Sequence, residues 1–306
     1  MKRNRKLLSL VVTGLMVAGV LAGCTPKDQK AGEPAKSKKI GMVISTQNNP
    51  FFVSMKEGAE KKAKELGYEL VVLDSSNDAA KERSNVEDLV QKGVAALIIN
   101  PTDSDAVVNA VGVANTAKIP VLTVDRKSNG GEVVSHVASD NVKGGEMAAK
   151  FILDKLNGKA NIVELQGIPG ASATRDRGQG FHKGVDGKDG VKVVASQAAD
   201  FDRQKGLNVM ENIIQATPSF DAIFAHNDEM ALGAAKALKA ANKKAIIVGF
   251  DGNDDAKKAV ESGDMSATIA QQPGLMGSMA VENAVKVIKG ETVAKEIPVD
   301  LELVAK

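Results

Sequence analysis

Carboxylates, amides, guanidiniums and phenylalanine rings gather where short apolar runs of this chain end. Asp125-Arg126 follow the run 121–124, Asp251-Gly252 follow 246–250, and His226-Asn227-Asp228 follow 222–225. Asn49, Phe51 and Phe52 come soon after 40–45, and Gln271 comes directly after 267–270. Arg175 and Arg177 stand near the start of a helix-like stretch, and Phe201 lies in a loop within Asp200-Phe201-Asp202-Arg203. Carboxylates accept from hydroxyls, Arg and Asn donate to hydroxyl and ring oxygens, and Phe faces cover C–H surfaces. A polyhydroxylated, uncharged ligand such as a sugar needs those three kinds of group. Singly, Asp125 or Asp251 reads equally well as a helix cap and each Phe as core. The recurrence over five strand ends is what favours a site, because open α/β sheets bind ligands outside the carboxyl ends of their strands.

Other motifs carry less. Asp251-x-Asn253-x-Asp255 begins like a calcium loop, but Ala256 stands where the turn needs Gly and Ser262 where the last ligand needs Glu, which leaves a helix-capping turn. Gly167-Ile168-Pro169-Gly170 lacks the Lys-Ser/Thr and glycine spacing of phosphate loops and reads as an ordinary strand-to-helix turn. His182 reads as a surface residue and His136 as a strand residue in a hairpin or hinge. One Cys and three His leave no metal cluster, and no activated Ser or Cys nucleophile is visible. No enzyme activity, metal or cofactor is expected.

The elements that must position these residues alternate. Candidate strands at 40–45, 70–74, 95–100, 121–125, 133–138, 162–166, 191–196, 222–225, 246–250 and 267–270 are dense in Val and Ile, as strands buried on both faces are. Helical patterns lie between them. In the first, Phe52, Met55, Ala59, Ala63 and Leu66 recur at helical spacing before Gly67. Strand and helix alternate throughout, which argues for α/β units with parallel sheets. Ten or so strands make one sheet too wide, and no long linker divides the 306 residues. Two α/β domains with several short crossings are expected.

The first 23 residues have the layout of a signal peptide, with Lys2, Arg3, Arg5 and Lys6 before an uncharged run. Leu21-Ala22-Gly23-Cys24 looks like a bacterial lipobox, so Cys24 is expected to be lipidated and to become the first mature residue. Residues 24–38 read as a flexible tether. The leader holds four of the 40 basic residues and no acidic one, so the mature chain has 36 basic against 38 acidic residues, net −2. No basic stripe survives, and nucleic-acid binding loses its electrostatic footprint. An exported protein tethered to the membrane by lipid is expected.

Ser45 to Phe52, Asn100-Pro101-Thr102-Asp103, Val124-Asp125-Arg126, Ala225 to Gly233 and Val248-Gly249-Phe250-Asp251-Gly252 together resemble the bacterial periplasmic ribose-binding proteins, solute receptors of sugar ABC importers. The resemblance covers nearly the whole mature chain. It implies a type I periplasmic binding protein fold, in which two Rossmann-like lobes joined by a three-crossing hinge close on one sugar. The N-terminal lobe would be 39–139 plus 272–300, and the C-terminal lobe 140–271 plus 301–306. D-ribose would meet Asn49, Phe51, Phe52, Asp125 and Arg126 from the first lobe. From the second it would meet Arg177, Phe201, Asn227 and Asp251, with Gln271 near the hinge. His226, where the family's pattern has Gln, should point away from the ligand. The implied partners are an ABC permease and, as a further candidate, a chemoreceptor; a monomer suffices for either. Other pentoses, allose or a furanosyl signalling molecule on the same fold are the alternative ligands. A sugar-responsive repressor would need an N-terminal DNA-binding helix-turn-helix, where this chain has a leader and tether.

Overall fold

Period-two alternation inside each strand decides how the layers form. In β1 (Lys39–Ile44), Ile40, Met42 and Ile44 face one core cluster and Val43 the other. In β3 (Ala96–Ile99), Ala96 and Ile98 face one cluster while Leu97 and Ile99 face the other. Strands of this kind are stable only when covered on both faces, so the helices between them pack above and below. The computed structural model describes residues 37–306. The leader, Cys24 and most of the expected tether lie outside the described residues.

The first sheet contains β1, β2 (Glu69–Asp74), β3, β4 (Val121–Val124), β5 (Ser135–Ser139) and β11 (Glu296–Val299), in the order β11-β5-β4-β3-β1-β2, with every pairing parallel. Around it lie α1 (Pro50–Leu66), α2 (Ala79–Gln91), α3 (Val107–Thr116) and α9 (Pro273–Ile288). The second sheet contains β6 (Ala160–Gln166), β7 (Val191–Ala198), β8 (Ala222–Ala225), β9 (Ile246–Asp251), β10 (Ala267–Ala270) and β12 (Glu302–Ala305), in the order β12-β10-β9-β8-β6-β7. It is parallel except for β12, which runs antiparallel to β10. Helices α4 (Asn141–Lys155) and α5 (Ser172–Val185) cover one face, and α6 (Arg203–Ala216), α7 (Asp228–Ala240) and α8 (Asp254–Ser262) the other.

All ten predicted strands are present, with ends shifted by up to two residues. The two strands that patterning does not reveal are β11 and β12. Both are short sheet edges: Pro298 interrupts the first, and the second is mostly exposed. The chain passes between the lobes after β5, after β10 and after β11. Among the described residues no helix is long and apolar enough to cross a membrane.

Candidate functional site

The first lobe's wall is built at the ends of β1 and β4. Asn49 stays extended at the N-cap of α1 and its Oδ1 accepts the Phe51 N–H at 2.9 Å, while Pro50 starts the helix. That cap sets Phe51 and Phe52 in the first turn, with ring centroids 5.2 Å apart and planes at 88°. After Val124 the backbone of Asp125 turns into the left-handed region at φ 63°. Its Oδ2 accepts from Asn100 Nδ2 at 3.0 Å and lies 3.6 Å from Arg126 Nε. Arg126 Nη1 donates to Ser45 Oγ and the Pro101 carbonyl, both at 3.3 Å, and its guanidinium lies 5.2 Å from the Phe52 ring centre.

The second lobe's wall uses α5, α7 and the end of β9. Arg177 is held three ways. Its Nε donates to Asn141 Oδ1 at 2.8 Å, its Nη1 to the His226 carbonyl, and its guanidinium lies 3.8 Å from the Phe250 ring centre. Asp251 Oδ1 is 3.7 Å from Arg177 Nη1 and accepts from Gln271 Nε2 at 2.9 Å. Asn227 caps α7, its Oδ1 accepting from the Met230 N–H at 3.0 Å, and its Nδ2 donates to the Phe201 carbonyl at 3.1 Å. Asp200, Phe201 and Asp251 have φ of 53°, 61° and 120°. With Asp125, four non-glycine residues at or beside one cavity adopt a conformation that costs about 1–3 kcal/mol each. A side chain on Gly167 would come within 2.0 Å of the Phe201 ring, so that turn residue makes room for the aromatic wall.

Nine of the ten predicted residues line one cavity: Asn49, Phe51, Phe52, Asp125, Arg126, Arg177, Phe201, Asn227 and Asp251. Gln271 is not in the lining but stands behind Asp251. With both carboxyls ionised, two carboxylates and two guanidiniums cancel, and the site then matches an uncharged ligand better than an ion. Burial raises both carboxyls, opposed by the arginines, and Asp251 is pushed up to about 7. Arg126 Nε and Gln271 Oε1 are buried with no hydrogen-bond partner. Among the described residues no group of three His, Cys, Asp or Glu could hold a metal.

Sequence reading missed Ala173, which lines the cavity from α5, and the supports Asn100, Asn141 and Phe250. The position of Asn100 at the end of β3 was the available signal for that residue. Arg175, by contrast, is exposed and outside the cavity.

His226 lies outside the cavity lining, as expected, beside the Phe224 ring on the face covered by α5, with Nε2 3.0 Å from Glu164 Oε1. Its Nδ1 is buried without a partner, the Glu164 carboxylate offers an acceptor to Nε2–H, and burial holds its pKa below the ordinary value. Burial would raise Glu164, but the bonds from His226 and Ser196 and the nearby His182 hold it at about 2. His182 lies at the surface, as its sequence context implies, and its Nδ1 reaches Asp186 Oδ1 at 3.0 Å. Its side chain is 37% exposed and its Nε2 lies 3.3 Å from Glu164, because α5 packs that face onto β6. His136 sits in β5, bonded to Thr123 Oγ1 at 2.8 Å, with burial pushing it down to about 4. Asn253 occupies the N-cap position of α8, but its side chain makes no capping bond.

Residues 40–292 match the periplasmic binding protein domain model. The chain is 53% identical over 306 residues, all of both chains, to the ribose import binding protein of Haemophilus influenzae. It is 50% identical over 304 residues, 98% of each chain, to that of Bacillus subtilis. A solved ABC transporter solute-binding protein from Bacillus halodurans C-125, with bound myo-inositol, superposes with a TM-score of 0.85 at 30% identity, covering 90% of this chain and 96% of that one.

Proposed function

The chain belongs to the periplasmic binding protein family, and from that premise we propose that it is the extracytoplasmic receptor that captures D-ribose between its lobes and delivers it to an ABC permease. It is a binding protein and not an enzyme. One observation carries the ligand: a small cavity, neutral in sum, in which carboxylates, amides and guanidiniums from both lobes converge between the rings of Phe51, Phe52 and Phe201. Asp125 and Asp251 accept hydroxyl protons. Arg126 and Arg177 donate to hydroxyl and ring oxygens, and the Phe rings cover the C–H faces. Gln271 orients Asp251 near a crossing.

The lobes are taken as 39–139 plus 272–300 and 140–271 plus 301–306. Only the closed form lets one sugar touch both, so the sugar shifts the open–closed equilibrium by its contacts with the second wall. Ribose has about ten non-hydrogen atoms, and micromolar binding needs about −0.8 kcal/mol from each, under the small-ligand ceiling. The receptor acts as a monomer, and its closed form is also the one a chemoreceptor would read.

Calorimetric titration tests the ligand, with allose, xylose and galactose as comparators and with protein first unfolded and refolded to strip bound sugar. One ribose per chain at micromolar affinity or tighter, with the other sugars much weaker, is expected. No heat with ribose sinks the assignment. In this reading residues 1–23 are a leader and lipidated Cys24 anchors the protein on the outer face of the cell membrane. Cells fed a labelled fatty acid should label the wild type and not Cys24→Ser; equal labelling would remove the anchor.

A further inference from the structure

Gly170 ends the segment that patterning reads as an ordinary strand-to-helix turn between β6 and α5. Its φ is not in the left-handed region, so the local backbone does not call for glycine. What calls for it lies in the other lobe. A Cβ added at Gly170 would meet Asp103, which follows β3, at 1.6 Å from Oδ2, 2.6 Å from Cγ and 3.3 Å from Cβ. The Asp103 carboxylate cannot swing aside freely, because its Oδ1 accepts from the N–H groups of Asp105 and Ala106 at 2.9 and 2.8 Å.

Hydrogen bonds cross between the lobes at the same edge. The Ser104 N–H donates to the Gly170 carbonyl at 3.0 Å, and the Lys127 N–H to Ser172 Oγ at 2.9 Å. Arg175 Nη1 donates to the same Gly170 carbonyl at 3.0 Å while Nη2 reaches Asn129 Oδ1 at 3.5 Å in the first lobe. None of these residues lines the cavity.

We propose that this edge is a latch, a direct contact between the lobes made on closure and independent of the sugar, and that Gly170 is the residue that lets it form. The proposal rests on the reading of the chain as a receptor that closes on ribose. The latch holds the closed form without touching the ligand, so it sets how long ribose stays more than how fast it is captured. It also gives Arg175 and Gly170 the role that the sugar cavity does not.

The geometry supplies its own test. A Cβ at Gly170 lies 3.3 Å from the Asp103 Cβ, just under the ~3.5–4.5 Å of a disulfide. Cys24 is the only cysteine, so the full chain carrying Cys24→Ser, Asp103→Cys and Gly170→Cys has no competing thiol. Under mild oxidant the pair should close to a disulfide, faster with ribose present, and hold bound ribose until it is reduced. Alongside it, Gly170→Ala should release ribose about tenfold faster, the worth of about one interlobe hydrogen bond, with the capture rate and the melting midpoint of the sugar-free protein unchanged. Thiols that stay free while ribose binds would overturn the latch, and a wild-type release rate in Gly170→Ala would overturn the part given to Gly170. If the pair oxidises but the unaltered protein takes up no ribose, the latch stands and the ligand reading falls.

Discussion

Asp251 is held by Arg177 and Gln271 in a left-handed backbone, and burial pushes its carboxyl up to about 7. Replacing it with Ala removes an acceptor that a sugar hydroxyl would use and leaves Arg177 and Gln271 short of a partner. The loss should be at least ~1–3 kcal/mol, about 5- to 150-fold in ribose affinity by titration. An unchanged affinity would remove Asp251 from the site. Its raised pKa gives a signed pH dependence. If ribose donates to the ionised carboxylate, binding favours the deprotonated form, so affinity should fall on acidification through the range in which Asp251 takes up its proton. Affinity that rises on acidification would assign the group the opposite role. Residue types at strand ends made this much legible: Asp125, Asp251, Asn227 and the Phe pair could be read from their places after apolar runs. Ala173 could not be, because an alanine on a helix carries no chemical signal. Nor could Phe250, which reads as an ordinary strand residue until Arg177 is seen lying over it.

Helix pairs position these residues through close glycine contacts. Helices α4 and α5 approach until a Cβ on Gly180 would be 1.9 Å from the Val142 carbonyl oxygen, and one on Gly145 would be 2.1 Å from the Arg177 carbonyl oxygen. The same crossing brings Asn141 to Arg177. Gly180→Ala must therefore push the helices apart, at about 1–3 kcal/mol of overpacking. Thermal unfolding should show the loss, with weakened ribose binding as Arg177 shifts. A variant as stable as the wild type would show that the crossing yields without cost. Element order was legible in the Val- and Ile-rich strands and the helical spacing between them. The edges β11 and β12 were not, because a short exposed edge strand needs no apolar run. For Glu302–Ala305 the pairing with β10, and not the residue types, makes the strand.

At the scale of the whole molecule, two sheets share one cavity and the chain passes between them three times, so closing the lobes is what completes the site. The number of lobes follows from sheet width and short connections. Contacts that exist only between the lobes, such as Ser104 with Gly170, have no trace in either lobe's own pattern. The most direct test of capture by closure is small-angle scattering on refolded, sugar-stripped protein as ribose is added. The account predicts a radius of gyration that falls and levels off at one ribose per chain, with no contraction on adding galactose. A scattering profile unchanged at saturating ribose, or the same contraction with galactose, would contradict it.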